Sequence, residues 1–324
     1  MKTSRGRYDL ADVPNLDHFP HITGYDFSKK FELQKFLKSY ASMGFQATEL
    51  SNAIEIWKTM QREHAVIFLA CTSNMVSSGN REIIRYLIEK KIVHALITTA
   101  GGIEEDIIKT IKPFVLGSFK ADGKYLFEKG INRIGNIFVT NDRYTYFEKW
   151  FEPLLDEISK EHKKGDKAIA ASDLIRLMGK KAASKESILY WAYKNGTPVF
   201  CPAPMDGSIG DIIYFHRQNH PEFQVDVAED ISKIVSLCIN AEKTGVIILG
   251  GGVAKHFTLN AQIFREGADY AIFLNTALEY DGSDSGASPD EAVSWGKIRA
   301  NAPSAKVFGD ATITFPLIVA SMQK

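Results

Sequence analysis

Ala65-Val66-Ile67-Phe68-Leu69-Ala70-Cys71 is an apolar run without alternation, and it passes directly into the hydroxyl-rich Thr72-Ser73-Asn74-Met75-Val76-Ser77-Ser78-Gly79. A strand with no polar side is one buried on both faces, as in a parallel sheet covered by helices. The pattern recurs at 94–99 (HALITT), 246–251 (VIILGG) and 270–275 (YAIFLN), each run leading into small or polar residues and then a helical segment. The expected fold is therefore α/β: an open, mostly parallel Rossmann-like sheet with helices on both faces. In such sheets ligands collect beyond the carboxyl ends of the strands.

Outward from this repeat the chain is simpler. Residues 1–28 are polar, with Pro14 and Pro20, and read as an N-terminal arm ahead of a single domain over 29–324. Leu33, Phe36, Leu37 and Tyr40 mark a helix, and a second helical stretch runs from Gly44 to about Glu63. Across 324 residues, 39 Lys and Arg balance 39 Asp and Glu. No net field draws the protein to nucleic acid or anionic lipid. Cys71, Cys201 and Cys238 are far apart, in no metal-ligand spacing, and read as reduced thiols. No apolar run approaches the ~20 residues of a membrane span, and a cytoplasmic protein with no membrane partner is expected. The lysine-rich stretch 160–185 reads as a solvated face.

The strand ends carry the candidate chemistry. Besides 72–79 there are Thr98-Thr99-Ala100-Gly101-Gly102 with Glu104-Glu105-Asp106 behind it, Gly250-Gly251-Gly252 with Lys255 and His256, Thr276-Ala277, and Asp310-Ala311-Thr312. Small residues at several strand ends suit a dinucleotide, which needs close backbone approach and helix N-termini for its phosphates. A G-x-G-x-x-G motif is absent, and steric glycines at strand-to-helix turns are the competing reading. Asp206 and Asp211, in the glycine-flanked loop 202–211, present carboxylates to a ligand or belong to an ordinary turn. His256 is a general base or a satisfied histidine at a helix start.

The stretch 281–297, DGSDSGASPDEAVSWGK, concentrates these signals. Ser288, Pro289 and Glu291 form a capping box with proline at the first helical position. Glu291 and Trp295, four apart, share a face that suits an organic cation. Gly296 can end the helix and turn Lys297 back toward that face. Lys297 is the candidate nucleophile, provided that something keeps it neutral; a polar turn, an ordinary cap and a solvated lysine are the alternative. Acids crowd the candidate loops of a neutral protein, which points to a cationic substrate such as a polyamine. A nicotinamide cofactor can oxidise an amine to an imine, and a lysine can capture it.

TSNMVSSG, TTAGGIEED, INRIGN, FCPAPMDGSIGD, GGGVAKH, NTALEYDGSDSGASPDEAVSWGKIR and GDATITFPL, in this order from about Gly44 to the C-terminus, resemble the deoxyhypusine synthase family. The resemblance implies an NAD-dependent aminobutyl transferase that oxidises spermidine, releases 1,3-diaminopropane, holds the butylimine on Lys297 and passes it to a lysine of the initiation factor 5A precursor. It assigns spermidine to Glu104, Glu105, Asp211, His256, Gly282, Ser283, Asp284, Glu291 and Trp295, with His256 shuttling a proton. It assigns NAD to Ser73, Asn74, Met75, Val76, Ser77, Thr99, Ala100, Gly101, Glu105, Asp206, Gly251, Thr276, Ala277, Ser285, Asp310 and Ala311, with no metal at the site. The charge of the oxidised nicotinamide and a dry indole wall would then keep Lys297 neutral. The family forms homotetramers with sites at a dimer interface. The family's N-terminal cover over a neighbouring site is not carried over, since residues 1–28 match less well. A homospermidine synthase, passing the same group to putrescine, and a non-catalytic polyamine or NAD binder are the rival readings.

Overall fold

A computed structural model describes residues 16–161 and 167–323. The first fifteen residues of the expected arm and residues 162–166 of the lysine-rich stretch lie outside them. Six strands form the central sheet: β1 (Val66–Cys71), β2 (Ala95–Ile97), β3 (Val199–Phe200), β4 (Thr244–Leu249), β5 (Tyr270–Asn275) and β6 (Ser304–Phe308). Their order across the sheet is β6-β5-β4-β1-β2-β3, and every pairing is parallel. β1 and β4 pair along their whole length, from Val66 opposite Thr244 to Cys71 opposite Leu249.

The unalternating apolar runs are explained by two cores. Side chains of a strand point alternately to opposite faces. Ile67, Leu69 and Cys71 enter one hydrophobic cluster with Trp57 and Met60, while Phe68 and Ala70 enter another with Val246, Ile248 and Phe273. Neither face of β1 meets water. The expected runs become strands, although 94–99 supplies only three strand residues. The two early helices form at Leu33–Ser39 and Phe45–Arg62.

One element differs from expectation. Val115–Leu116, Ile131–Ile134 and Ile137–Thr140 make a small antiparallel sheet apart from the parallel one. Its hairpin turns through Gly135 at φ +59° and Asn136, between the paired Ile134 and Ile137. Glycine at such a two-residue loop is the expected signal for it.

Candidate active site

Strand order reverses between β1 and β4, so the connections leaving their carboxyl ends run to opposite sides and leave a crevice, the usual ligand position in doubly wound sheets. A cleft of about 400 Å³ lies there, reaching across the ends of β5 and β6; Asn74, Met75, Gly251, Thr276, Ser285 and Asp310 line it, with Ala277 and Ala311. Its floor requires small residues. Gly250 sits at φ +89°, and a Cβ there would come within 2.8 Å of Thr72 Oγ1. A side chain on Gly251 would collide with Ser285, whose Oγ instead accepts the Gly252 N–H at 3.0 Å. Asn275, at the end of β5, accepts the Ala277 N–H through Oδ1 at 3.1 Å, while its Nδ2 is buried without a hydrogen-bond partner among the described residues. A spare donor thus lies buried in a residue that lines the cleft.

On the β2 and β3 side of the crevice stands an acidic wall. The Ala100–Ile111 helix starts at Thr99, and Gly101 lets it approach Ser73, whose Cβ would be 2.9 Å from a Cβ at that glycine. Three consecutive acids on this helix are buried but differently employed. Asp106 is committed to structure: it pairs with Arg81 Nε at 2.8 Å and accepts from Ser187 Oγ and the Ile188 and Leu189 N–H groups. Glu104 accepts only backbone N–H groups, Ile209 at 3.1 Å, and Glu105 accepts from Ser77 Oγ. Neither has an ion-pair partner among the described residues. Burial pushes both carboxyls up to about 7, with backbone N–H bonds opposing it at Glu104 and Ser77 opposing it at Glu105. Asp211 and Asp206 add their charges at Glu104. A cation arriving here meets two carboxyls awaiting a counter-charge. Lys109 braces the wall by donating to the carbonyls of Val76, Ser77 and Ser78 at 2.9, 3.1 and 3.0 Å.

A second cleft, of about 630 Å³, lies along the Gly252–Ile263 helix, and Lys297, His256, Asp284, Glu291, Trp295 and Gly282 are among its lining residues. Local sequence builds it. Ser288 Oγ accepts the Glu291 N–H at 3.3 Å and Pro289 opens the helix Pro289–Ser294. Gly296 ends it at φ +69°, donating to the Val293 carbonyl while Lys297 N–H donates to that of Ala292, each at 2.9 Å. That is a Schellman turn. It brings Lys297 Nζ to 5.8 Å from the Trp295 ring centroid. Lys297 is only 8 % exposed, and its Nζ has no hydrogen bond or ion pair among the described residues.

The loop opposite is held from beneath by two lysines. Lys255, fully buried, donates to the carbonyls of Asp284 and Ala287, the latter at 2.9 Å, and lies 4.7 Å over Phe273. Lys306 donates to the Gly286 carbonyl. Burial lowers Lys255 to about 8. Above them, Asp284 Oδ2 is buried with no hydrogen-bond partner among the described residues. His256 Nδ1 accepts from Asn260 Nδ2 at 3.0 Å, which leaves Nε2 for the cleft.

The chain does not gather every expected residue into one pocket. Glu104, Glu105 and Asp211 are not among the residues that line the lysine cleft, and Ser73, Val76, Ser77, Thr99, Ala100, Gly101 and Asp206 border the crevice from the acidic wall without lining it. Ser283 donates its N–H to Asp281 Oδ1 at 2.8 Å on an exposed turn. The indole wall, expected dry, is 66 % exposed in the single chain, as is much of His256. Lys255, Lys306, Lys109, Asn260 and Asn275 were not among the expected site residues. Only Asn260 had a sequence signal, its i+4 spacing from His256 on one helix face.

The family profile described as deoxyhypusine synthase matches residues 35–322. A Methanocaldococcus jannaschii protein named "Probable deoxyhypusine synthase" is 51% identical, covering 94% of this chain and 96% of its own. The deoxyhypusine synthase of Senecio vernalis is 48% identical, covering 92% and 88%. The crystal structure of a candidate deoxyhypusine synthase from Entamoeba histolytica superposes with a TM-score of 0.68 at 30% identity, covering 93% of this chain and 96% of that one.

Proposed function

The chain belongs to the deoxyhypusine synthase family, and from that membership we propose that it transfers the aminobutyl group of spermidine to a lysine of the initiation factor 5A precursor. The observation that carries the reading is Lys297: a nearly buried amine without a polar partner among the described residues, turned by a glycine cap to face an indole, a histidine and two carboxylates.

The crevice suits NAD. Gly250 and Gly251 leave room for close approach, the buried Asn275 Nδ2 lacks an acceptor among the described residues, and Asp310 starts a helix there by accepting the Thr312 N–H. When bound, NAD supplies hydride acceptance at the start of the reaction and hydride return at its end. The chain's own residues do the rest. Asp284 and Glu291 hold ammonium groups of the substrate, and Trp295 flanks its alkyl chain. The Lys297 amine attacks the carbon of the oxidised C=N bond; the bond from that carbon to the departing nitrogen breaks, and 1,3-diaminopropane leaves. For His256 to move a proton at Nε2, the Asn260 amide turns so that its Oδ1 accepts from Nδ1–H. The neutral imidazole then takes a proton at Nε2 and, as imidazolium, hands it to the departing amine. The acceptor lysine then displaces Lys297 from the four-carbon imine, and reduction leaves a secondary amine.

Exposed Trp295, Phe264 and Ile263 at the rim support a partner subunit covering the lysine cleft. A partner's acidic wall would supply the further carboxylates and exclude water, in a homotetramer with sites at a dimer interface.

The test is incubation of the purified protein with NAD and spermidine labelled in its butyl carbons, with either the factor 5A precursor or putrescine as acceptor. The expected result is label in the protein factor and release of diaminopropane. Label in homospermidine alone would shift the acceptor to a small amine, and no diaminopropane in either tube would overturn the reading.

A further inference from the structure

Away from both clefts, the helix Asp142–Glu161 packs against the helix Ser208–Asn219, and three metal-type donors meet between them. His216 and His220 are four residues apart, so they share one side of their helix end. Asp156 faces them. Its Oδ1 lies 3.5 Å from His216 Nδ1 and 3.9 Å from His220 Nε2, and one donor atom from each residue falls within 4.8 Å of the other two. A zinc ion bonded to each at ~2.0–2.1 Å would set such donors about 3.3 Å apart. The two distances from Asp156 are within a small closure of that.

Each histidine also has an oxygen near its remaining nitrogen, hydrogen-bonded at His216 and farther off at His220. His216 Nε2 lies 2.8 Å from Ser159 Oγ, and His220 Nδ1 lies 3.6 Å from Glu222 Oε1. An oxygen partner on the far nitrogen is what fixes the tautomer and orientation of metal-binding histidines. Phe223 packs edge-on to His216 at 5.2 Å and restricts that ring further. The two imidazoles stack at 4.4 Å with 17° between planes, so loading requires rotation of one ring. His220 is the freer, being half-buried where His216 is buried.

We infer that Asp156, His216 and His220 form a zinc(II) site that ties these two helices together, with water completing the coordination on the open side. Two imidazoles and one carboxylate suit a borderline cation such as zinc better than calcium or magnesium, which favour all-oxygen sets. The clip bears on the acidic wall, because the Ser208–Asn219 helix carries Asp211 in its first turn and its Ile209 N–H binds Glu104. This inference is independent of the proposed reaction.

The test is calorimetric titration of the chelator-treated full-length protein with zinc chloride, alongside melting curves with and without the metal. One zinc per chain is expected, with a rise in Tm, and at least tenfold weaker binding in both His220→Ala and Asp156→Asn, whose side chains are partly exposed. Ser159→Ala, which removes the oxygen partner of His216 Nε2, is expected to weaken binding about tenfold, read against its own metal-free Tm. Well under one equivalent bound, or equal affinity in the wild type and both ligand variants, would overturn the site and leave the cluster as a packing contact of two histidines and an aspartate.

Discussion

The lysine cleft and the acidic wall are made by opposite means. In the lysine cleft the reactive side chains are aimed by backbone caps within one short stretch, 284–297, and the cleft stays open to solvent. On the acidic wall the side chains Glu104 and Glu105 sit on a regular helix and owe their character to being buried by distant segments, at Ser77 and Ile209. The first region stores geometry; the second stores unpaired charge capacity. A cationic amine needs both, since carboxylates alone bind it without reacting and a lysine alone has nothing to hold the substrate.

The sharpest way to break this comparison is Lys297→Arg, which keeps charge and bulk but removes the nucleophile. Transfer of labelled butyl carbons should fall by about a thousandfold or more, while NAD binding by fluorescence titration stays within twofold. Retained transfer would place the nucleophile elsewhere.

The acidic wall makes a prediction about pH. Folding raises Glu104 and Glu105 to about 7 from an ordinary 4.5. The folded state therefore binds protons more tightly than the unfolded one, so the stabilisation is complete below pH 4.5 and is lost as pH rises through about 7. Ligand-free protein should lose on the order of 3 kcal/mol per group over that range, read from denaturation midpoints. Glu104→Gln/Glu105→Gln should flatten the curve, and a pH slope unchanged in the double variant would remove the wall's special status. Spermidine should also flatten it, by stabilising the charged carboxylates.

Lys255→Met tests the mounting of the lysine cleft. It leaves the buried carbonyls of Asp284 and Ala287 without their donor, at a cost of about 1–3 kcal/mol, and should raise KM for spermidine about tenfold by releasing the Asp284 loop. Thermal melts and steady-state kinetics read both; an unchanged KM would mean that the loop holds itself. The smallest effect is expected of Gly296→Ala, which forces a side chain into φ +69°. It should cost about 1 kcal/mol and lower kcat more than it raises KM, because it mis-aims Lys297 only. A variant with full kcat would show that the Schellman turn is not what positions the amine.

The same contrast explains what could be read from sequence. The cap at Ser288, proline at the first helical position, the glycine stop at 296 and the return of Lys297 toward Trp295 are contacts within a few residues, so their signals are contiguous. The unalternating strands were equally legible, since burial on both faces leaves its mark on each residue. Lys255 and Lys306 were not: a lysine bound to backbone carbonyls some thirty or twenty residues away has no local signature. Nor did three adjacent acids reveal which was structural, because Asp106 is set apart from Glu104 and Glu105 by Arg81 and by the helix start at Ser187, Ile188 and Leu189, all brought in by the fold. The antiparallel sheet escaped for a different reason. Its first strand has two exposed residues and no pattern, yet the Gly135-Asn136 turn between the tetrads INRI and IFVT was there to be read.

The central claim is that Lys297 carries the aminobutyl group as an imine. Incubating the protein with NAD and spermidine without an acceptor, reducing with borohydride and mapping the peptides by mass spectrometry tests it directly. The account predicts a single aminobutyl adduct on Lys297, absent without NAD and absent from Lys297→Arg. An adduct on another lysine such as Lys255, or none while diaminopropane is still released, would contradict it.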